Sequence, residues 1–435
     1  MKKLSPIFFL FFISANLFAQ VNDDALNDLI NDTTVRTGIA GISIYEPATG
    51  NYLYNYNADN NFTPASNTKL FALYAGMKYL GDSLVGLRYK KEKNGINIYP
   101  TGDPTFLHPD FKTQKVFTFL KSQNNIQYNT QQFCNYLGAG WVWNDYIDDY
   151  MAPRSEMPIY GNLITISQTS KGYKVIPSFV KVKPMGYKNQ FTDNVDYPLY
   201  KNFDGNELFL NATKKPKAGE ITPIPLSIKY NEIPFYLDDT LHKKIILTKD
   251  TKVAWKNVDS IQSIYSQPAD TLYKIMMSRS DNFFAEQTLL MASNELLGYM
   301  SDEKMIDTLL KTELKNIPTK PKWVDGSGLS RYNLFSPKDF IFLLDKMKNE
   351  FGMERMTKIL LTGNKGTLTN YYVKEQGFIF AKTGTVSGVV ALSGYLYTKT
   401  NKLLEFSVLI NNFNGSPRAV RRAIERFLIH VRASN

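Results

Sequence analysis

Ser66 and Lys69 are three residues apart in TPASNTKLF, residues 63–71, where the sequence predicts the start of a helix. This spacing places the two side chains on one helix face. Burial lowers the pKa of a lysine from about 10.4, because it disfavours the ammonium ion, and a free amine accepts a proton. The pair therefore predicts a serine nucleophile that is activated by a lysine base.

The residues around this pair favour chemistry over a capping role for the serine. Thr63 is suited to be the N-cap and Pro64 the first helical residue, so Ser66 is expected at the third helical position. A lysine in an apolar stripe is costly unless it is paired or neutral. The apolar residues expected on the same face are Leu70, Leu73 and Met77.

The S-x-x-K pattern alone is weak, because it occurs twice more in the chain. Ser178 and Lys181 lie in an alternating stretch typical of a strand, on which they would face opposite sides. Ser301 and Lys304 lie where Ser301 is suited to be a helix N-cap. Only Ser66 is expected to share a buried face with its lysine.

Two further motifs follow in the chain. SDN occurs at residues 280–282 and KTGT at residues 382–385. Together with S-x-x-K, in this order, they form the signature of class A β-lactamases and penicillin-binding proteins. The three motifs therefore predict a serine enzyme that forms an acyl-enzyme.

Each motif residue has a chemical task in this hypothesis. Ser280 would relay a proton to the leaving amine, and Lys382 would set the electrostatics of that transfer. Asn282 would either bind the substrate amide or hold Lys69. No residue type in these motifs requires a cofactor, and none is expected.

The third motif is expected on a strand whose edge binds the substrate as an added strand. Lys382, Thr383, Gly384 and Thr385 form this strand, and their cation and hydroxyls suit a terminal carboxylate. The backbone N–H groups of Ser66 and Thr385 are expected to form the oxyanion hole.

The sequence resembles the low-molecular-mass class C penicillin-binding proteins, the D-alanyl-D-alanine carboxypeptidase/endopeptidases. The likeness covers essentially the whole mature chain and includes YPTGDPTF (99–106), GAGWVWNDY (138–146), RSDNFFAEQ (279–287), DGSGLSRYNLFSP (325–337) and GNKGTLTNYY (363–372). It implies a β-lactamase/transpeptidase-like domain, a peptidoglycan peptide ending in D-Ala-D-Ala as substrate, and β-lactam antibiotics as acylating inhibitors. Whether the terminal D-alanine or a cross-link is cleaved stays open.

The sequence departs from this family in the first and second stretches of likeness. The glycine-rich run usual before GDPT is reduced to Gly102, and WNDY at residues 143–146 replaces a more acidic version. These departures bear on the recognition of the substrate side chain more than on catalysis. GDPTF is expected to be a turn, whereas Asp325, Ser327 and Arg331 of DGSGLSR are equally consistent with a turn and with direct contact to substrate.

The chain is expected to be a multi-domain α/β protein whose antiparallel sheet is flanked by helices. A hairpin around EPATGN, three strands from residue 377 onwards and an amphipathic C-terminal helix point to one domain built from both ends of the chain. Its boundaries are expected at residues 20–81 and 263–435. Residues 82–262 are rich in short strands and turns and are expected to form one or more inserted domains.

The first residues predict export. Lys2 and Lys3 precede an apolar run that ends at Ala19, which is typical of a signal peptide spanning residues 1–19. No later segment is apolar and long enough to span a membrane, so a mature protein of the periplasm or cell envelope is expected. The net charge of +11 is spread along the chain without a nucleic-acid-binding motif, so no nucleic acid partner is expected.

The single cysteine and the histidines carry no predicted chemistry. Cys134 cannot form an internal disulfide and is expected to be a small buried residue. His108, His242 and His430 lack metal-ligand spacing, so neither a metal site nor a Ser-His-Asp triad is expected.

Two alternative functions stay open. A β-lactamase would need a deacylating glutamate, and NELFLN offers Glu207, Leu210 and Asn211 in an E-x-x-L-N pattern. This pattern precedes SDN, whereas class A enzymes have it after SDN, and it alternates like a strand. A non-catalytic envelope-binding protein would usually have lost Ser66 or its lysines, which are present here.

Overall fold

The computed structural model describes residues 24–170, 172–184, 199–210, 221–248 and 255–435. The expected signal peptide, residues 1–19, lies outside these residues. The described helices are α1 (Asp24–Asn31), α2 (Lys69–Tyr79), α3 (Lys115–Ser122), α4 (Ile233–Leu241), α5 (Ala269–Arg279), α6 (Asn282–Leu297), α7 (Asp302–Lys311), α8 (Pro337–Phe351), α9 (Met353–Ile359) and α10 (Pro417–Ser434).

The strands of the described residues form four sheets. The largest has the order β14-β15-β16-β17-β1-β2, and the others are β12-β5-β4-β3-β13, β11-β6-β7 and β8-β10-β9. The strands are β1 (Ile39–Glu46), β2 (Asn51–Tyr56), β3 (Ser83–Glu92), β4 (Gly95–Tyr99), β5 (Ile126–Tyr128), β6 (Leu163–Thr169), β7 (Gly172–Ile176), β8 (Val182–Pro184), β9 (Leu199–Lys201), β10 (Leu208–Leu210), β11 (Ile221–Pro225), β12 (Ile245–Leu247), β13 (Gln262–Pro268), β14 (Leu361–Thr362), β15 (Ile379–Val386), β16 (Val389–Tyr397) and β17 (Leu403–Asn411).

The six-stranded sheet is antiparallel and joins the two ends of the chain, because β1 pairs with β17. Both its faces are covered, so its strands are apolar on both sides. In β17, Leu409 packs among the helices of one face, whereas Val408 and Ile410 pack on the other. The predicted α/β fold, a sheet between helical layers, is thus confirmed, as are the hairpin of β1 and β2 and the three C-terminal strands.

One helical layer contains the first two motifs, S-x-x-K and SDN, and the other contains the described helices nearest the two chain ends. Helices α2, α5, α6 and α8 pack together on the first face. Helices α1 and α10 cover the second face. The predicted stripe of α10 is buried against the sheet, as expected for a packed helix, and comprises Val420, Ile424, Phe427, Leu428 and Val431.

The start of the motif helix differs from the prediction. Residues Ala65–Thr68 form a 3-10 helix and α2 begins only at Lys69, so Ser66 is not the third residue of an α-helix. Thr63 does not cap it; its N–H and carbonyl instead bond the Asn411 side chain of β17. The backbone turns sharply at Ala65, whose φ of +46° interrupts a regular helix start.

Helix α2 is also buried on all sides, not along one stripe. Every residue from Lys69 to Met77 is buried. The helix lies in the middle of the first helical layer, in contact with α5, α6 and α8. Sequence periodicity therefore could not identify its catalytic face, because its surroundings are apolar all round.

The segment between residues 82 and 262 is rich in short strands. Its first strand, β3, pairs antiparallel with β13, which runs from residue 262 to 268 directly before α5. Strands β3 to β6 and β9 to β12, with α3 and α4, supply a separate group of buried side chains. The domain division at residues 82 and 262 stays a prediction.

Cys134 is exposed, so the prediction of a buried cysteine is wrong. No helix within the described ranges is long and apolar enough to cross a membrane. In that same part of the chain, no cluster of three or more His, Cys, Asp or Glu residues could hold a metal ion.

Candidate active site

Ser66 and Lys69 are in direct contact at the junction between the 3-10 helix and α2. Their Oγ and Nζ atoms are 2.9 Å apart. Ser66 is half-buried, whereas Lys69 is fully buried. The two predicted residues are therefore in contact, with the candidate nucleophile Ser66 partly exposed and the candidate base Lys69 enclosed.

The environment of Lys69 shifts its equilibrium towards the neutral amine. Burial lowers the pKa of Lys69 to about 8, although Asp325, Asp281 and Glu286 act in the opposite direction. A lysine with this pKa loses its proton far more readily than one in water. The amine is thus able to accept the proton of a neighbouring hydroxyl.

The hydrogen-bond partners of Lys69 orient that amine. Its Nζ lies 2.6 Å from Asn282 Oδ1 and 2.7 Å from the Ser327 carbonyl oxygen. Both oxygens are acceptors only, so they take the two N–H groups of a neutral amine. Its remaining lone pair then points at the third partner, Ser66, whose hydroxyl can donate.

The backbone of Ser280 has a left-handed conformation that residues other than glycine rarely adopt. It ends α5 with φ +60°, and Asp281 caps the next helix, α6, by accepting from the Phe284 N–H. This left-handed backbone, uncommon outside glycine, occurs at functional sites where the surroundings enforce it. The turn places Ser280 Oγ 2.8 Å from Lys382 Nζ.

Lys382 is fully buried on β15 and donates to Ser280 and to the Thr383 carbonyl oxygen at 2.6 Å. Its pKa is lowered well below the usual value, first by burial and then by the positive charges of Lys69 and Arg421. Basic groups thus lie close together here, and an anionic ligand would favour their charged forms.

Strand β15 passes very close to the nucleophile. A Cβ on Gly384 would lie 2.7 Å from the Pro64 carbonyl oxygen and 3.1 Å from the Asn67 N, so only glycine fits there. The flanking hydroxyls have partners on other elements: Thr383 Oγ1 is 2.6 Å from Thr367 Oγ1, and Thr385 Oγ1 is bound by Arg421.

A buried charge network lies behind Lys69. Glu286 is one helical turn after Asn282 on α6, and its Oε1 accepts from the Ser327 N–H at 2.7 Å. Its Oε2 is 3.3 Å from Arg154, which also pairs with Asp302. Burial and the charge of Asp325 raise the pKa of Glu286 to about 7, whereas Arg154 lowers it.

The DGSGLSR segment is a turn built around one carboxylate. Asp325 is fully buried and accepts from the N–H groups of Gly328 and Ser330, the Asn333 amide and the Trp141 indole. This arrangement gives Asp325 a structural role. The sequence left open whether Ser327 belongs to a turn or contacts the substrate. In the structure it lies in the turn, and its carbonyl oxygen accepts a hydrogen bond from Lys69.

The geometry brings Ser66, Lys69, Asn282, Ser280 and Lys382, the residues predicted from the three motifs, together in one place. Comparison with known proteins decides the family: residues 22–431 match the D-Ala-D-Ala carboxypeptidase 3 (S13) family. The chain belongs to this family. The resemblance seen in the sequence motifs is thereby confirmed, and the chain is a serine-type D-Ala-D-Ala carboxypeptidase by family.

Relatives in the S13 family share nearly the full length of the chain. The D-alanyl-D-alanine carboxypeptidase DacB of Haemophilus influenzae is 23% identical, over 95% of this chain and 94% of its own. The D-alanyl-D-alanine carboxypeptidase of Actinomadura sp. is 21% identical, over 92% and 82%. The crystal structure of penicillin binding protein 4 (dacB) from Haemophilus influenzae covers 93% of this chain and 98% of its own, with a TM-score of 0.71 and 18% identity.

The rejected motifs lie elsewhere in this S13 chain. Ser301 caps α7, as expected. Ser178 lies in a turn after β7, not in a strand as predicted, and its Oγ donates to Asp239. Glu207 is exposed and paired with Lys183 directly before β10, which agrees with the predicted strand; Asn211 lies outside the described residues.

Other motif residues have structural roles. In GDPTF, both carboxylate oxygens of Asp103 accept from Thr105, which confirms the predicted turn. Arg331 donates to the Ser387 carbonyl oxygen and so links the DGSGLSR turn to the loop after β15.

Sequence reasoning missed the residues that support the motifs. Glu286 carried a usable signal, because it is four residues after Asn282 on the same helix and thus shares its face. Thr367 lies in GNKGTLTNYY, a stretch of likeness to the family, but nothing there indicated its contact with Thr383. Arg154 and Arg421 carried no signal, since each comes from a distant element that only the fold brings to the site.

Proposed function

We propose that this S13 enzyme is an exported serine DD-peptidase in which Ser66 forms an acyl-enzyme with peptidoglycan stem peptides. The observation that carries the proposal is the set of three partners around Lys69 Nζ. Asn282 Oδ1 and the Ser327 carbonyl can only accept, so the lone pair of neutral Lys69 is directed at Ser66 Oγ. A serine held in this way is a nucleophile at a pH where free serine is inert.

In the proposed acylation step, Ser66 Oγ attacks the carbonyl carbon of the penultimate D-alanine and its proton passes to Lys69 Nζ. The N–H groups of Ser66 and Thr385 would stabilise the oxyanion. When the C–N bond breaks, Ser280 passes to the leaving amine the proton that Lys69 took from Ser66, and Lys382 sets the electrostatics of this transfer. In deacylation, water adds to the acyl carbon and gives up one proton. Ser66 Oγ leaves and takes that proton, and the peptide is released as its carboxylic acid.

The edge of β15 supports binding of the peptide as an added strand. Strand β14 pairs only with Phe380 and Ala381 of β15. Within the described residues no strand pairs with this edge from Lys382 onwards, so its backbone groups are open to an extended peptide. Gly384 lets this edge lie against the nucleophile.

The periplasm or cell envelope is the proposed location. The first nineteen residues support it, because a basic start, an apolar run and a small residue at the end are typical of a cleaved signal peptide. The positive net charge suits work next to an anionic envelope polymer.

The acyl-enzyme that forms with a β-lactam is proposed to be hydrolysed slowly, so β-lactamase activity is not proposed. Glu207, the only residue offered by an E-x-x-L-N pattern, is exposed and paired with Lys183 in the strand-rich segment. Penicilloyl-Ser66 is therefore expected to be long-lived.

Fluorescent penicillin tests the acyl-enzyme. Wild type should be labelled and keep the label for many minutes, whereas Ser66→Ala should not be labelled; Ser301→Ala, at a serine with the same S-x-x-K spacing, is the matched control. An unlabelled wild type would refute the proposal, and rapid loss of label would indicate a β-lactamase. Digestion of cross-linked muropeptides, followed by free D-alanine and by loss of dimers, measures carboxypeptidase and endopeptidase activity separately.

A further inference from the structure

Arg421 reaches the substrate-binding strand from the opposite helical layer. It lies on α10, is half-buried, and its Nη2 donates to Thr385 Oγ1 at 2.5 Å. It also lines a small cavity together with Thr367 and Thr383. The guanidinium is thus next to two hydroxyls of the third catalytic motif.

In the part of the chain that the structure describes, Arg421 lacks the carboxylate partner that two nearby arginines have. On the same helix, Arg422 pairs with Glu425 and Arg426 pairs with Asp32. Within the described residues no carboxylate lies in ion-pair range of Arg421, and only its bond to Thr385 is formed. Its other N–H donors are therefore left for a ligand, and a guanidinium fork matches a carboxylate.

The local charge points to an anion. Lys382 is fully buried and has Ser280 and the Thr383 carbonyl as partners, neither of which is negatively charged. The positive charges of Lys69 and Arg421 both act on Lys382 and disfavour its ammonium form. A negative group bound between Arg421 and Lys382 would offset this repulsion.

We propose that Arg421, together with the Thr385 hydroxyl, binds the α-carboxylate of the residue that leaves during acylation. The proposal rests on the proposed function and adds a residue from outside the three motifs. On binding, the Thr385 hydroxyl turns from the Gly384 carbonyl, to which it donates at 2.7 Å, to the carboxylate. Substrates with a free carboxylate on the leaving residue are thereby selected over amides and esters.

The test compares carboxylate ligands with neutral analogues. Acylation rates are measured for benzylpenicillin and its methyl ester, and hydrolysis for diacetyl-L-Lys-D-Ala-D-Ala and its C-terminal amide. The variants are Arg421→Gln and Arg421→Lys, and the matched control is Arg418→Gln, which removes an exposed arginine from the same helix.

Arg421→Gln should slow acylation by benzylpenicillin and hydrolysis of the free peptide by about ten- to a hundredfold, the effect of one charge-assisted interaction. The ester and the amide should react at the wild-type rate, Arg421→Lys should be intermediate, and Arg418→Gln should match wild type. Equal losses for charged and neutral ligands, or an unchanged preference, would overturn the inference while the acyl-enzyme stands. Failure of wild type to form any acyl-enzyme would overturn the proposed function and this inference with it.

Discussion

Glu286 and Lys69 are joined through a single peptide group. The N–H of Ser327 donates to Glu286 Oε1 at 2.7 Å, and the carbonyl oxygen of the same residue accepts from Lys69 Nζ at 2.7 Å. All three residues are fully buried. The charge of Glu286 thus acts on Lys69, and its carboxylate also fixes the carbonyl that orients the amine.

Acylation by the wild type should depend on pH through Lys69. Its pKa is about 8, and only the free amine accepts the Ser66 proton. The free amine becomes more abundant as pH rises, so the acylation rate should increase with pH and level off above about pH 8. Stopped-flow measurement with a fluorescent penicillin gives this profile. The arginine of Lys69→Arg stays protonated over this pH range, so the variant should lose the rise of the acylation rate with pH. A flat profile for the wild type would contradict the role of Lys69 as base.

Glu286→Gln should move that profile to lower pH. The carboxylate of Glu286 raises the pKa of Lys69, so its removal lowers the pKa, by about one unit. The same penicillin assay measures the midpoint. A purely structural role would reduce the rate at every pH without moving the midpoint, and that result would argue against electrostatic coupling. Glu207→Gln, at an exposed glutamate of the strand-rich segment, is the control and should leave the profile unchanged.

Asn282→Asp should shift the pH profile in the opposite direction, to higher pH. The substitution hardly changes the size and shape of the side chain. Asn282 Oδ1 is 2.6 Å from Lys69 Nζ, and a carboxylate in its place would stabilise the ammonium ion. The pKa of Lys69 should rise by about 1–3 units, which lowers acylation at pH 7 by at least about tenfold. The pH profile should therefore shift upwards, and an unshifted midpoint with a lower rate would assign Asn282 to substrate binding alone.

The sequence predicted which motif residues share one site but not what surrounds them. Ser66, Lys69, Ser280, Asn282 and Lys382 come from three segments that only the motif order linked, and the fold brings their side chains into the contacts described. Motif recognition works here because the chemistry restricts residue type and spacing. The start of the helix, in contrast, follows from packing, and capping preferences at Thr63 gave the wrong boundary.

The supporting residues depend on tertiary contacts that have no local pattern. Arg154 reaches Glu286 from the strand-rich segment, and Arg421 reaches Thr385 from the last helix. In the sequence both are ordinary arginines in a basic chain. Cys134 shows the same limit, because a lone cysteine is usually buried but is exposed here. Burial of single residues follows from the fold.

Gly328→Ala should disrupt the turn that presents the Ser327 carbonyl to Lys69. Gly328 has φ +82°, and a Cβ there would lie 1.9 Å from the Ala65 carbonyl oxygen, next to the nucleophile. Gly81 is a matched control, because it also has a positive φ (+67°) but has no atom within 4 Å of an added Cβ. Gly81→Ala should lower the free energy of unfolding by about 1 kcal/mol, the cost of a left-handed backbone, and leave acylation unchanged. Gly328→Ala should cost about 3 kcal/mol or more in urea unfolding and slow penicillin acylation, because the clash displaces backbone at Ser66. Equal effects of the two substitutions would show that the contact between the turn and Ala65 is not needed to hold the site.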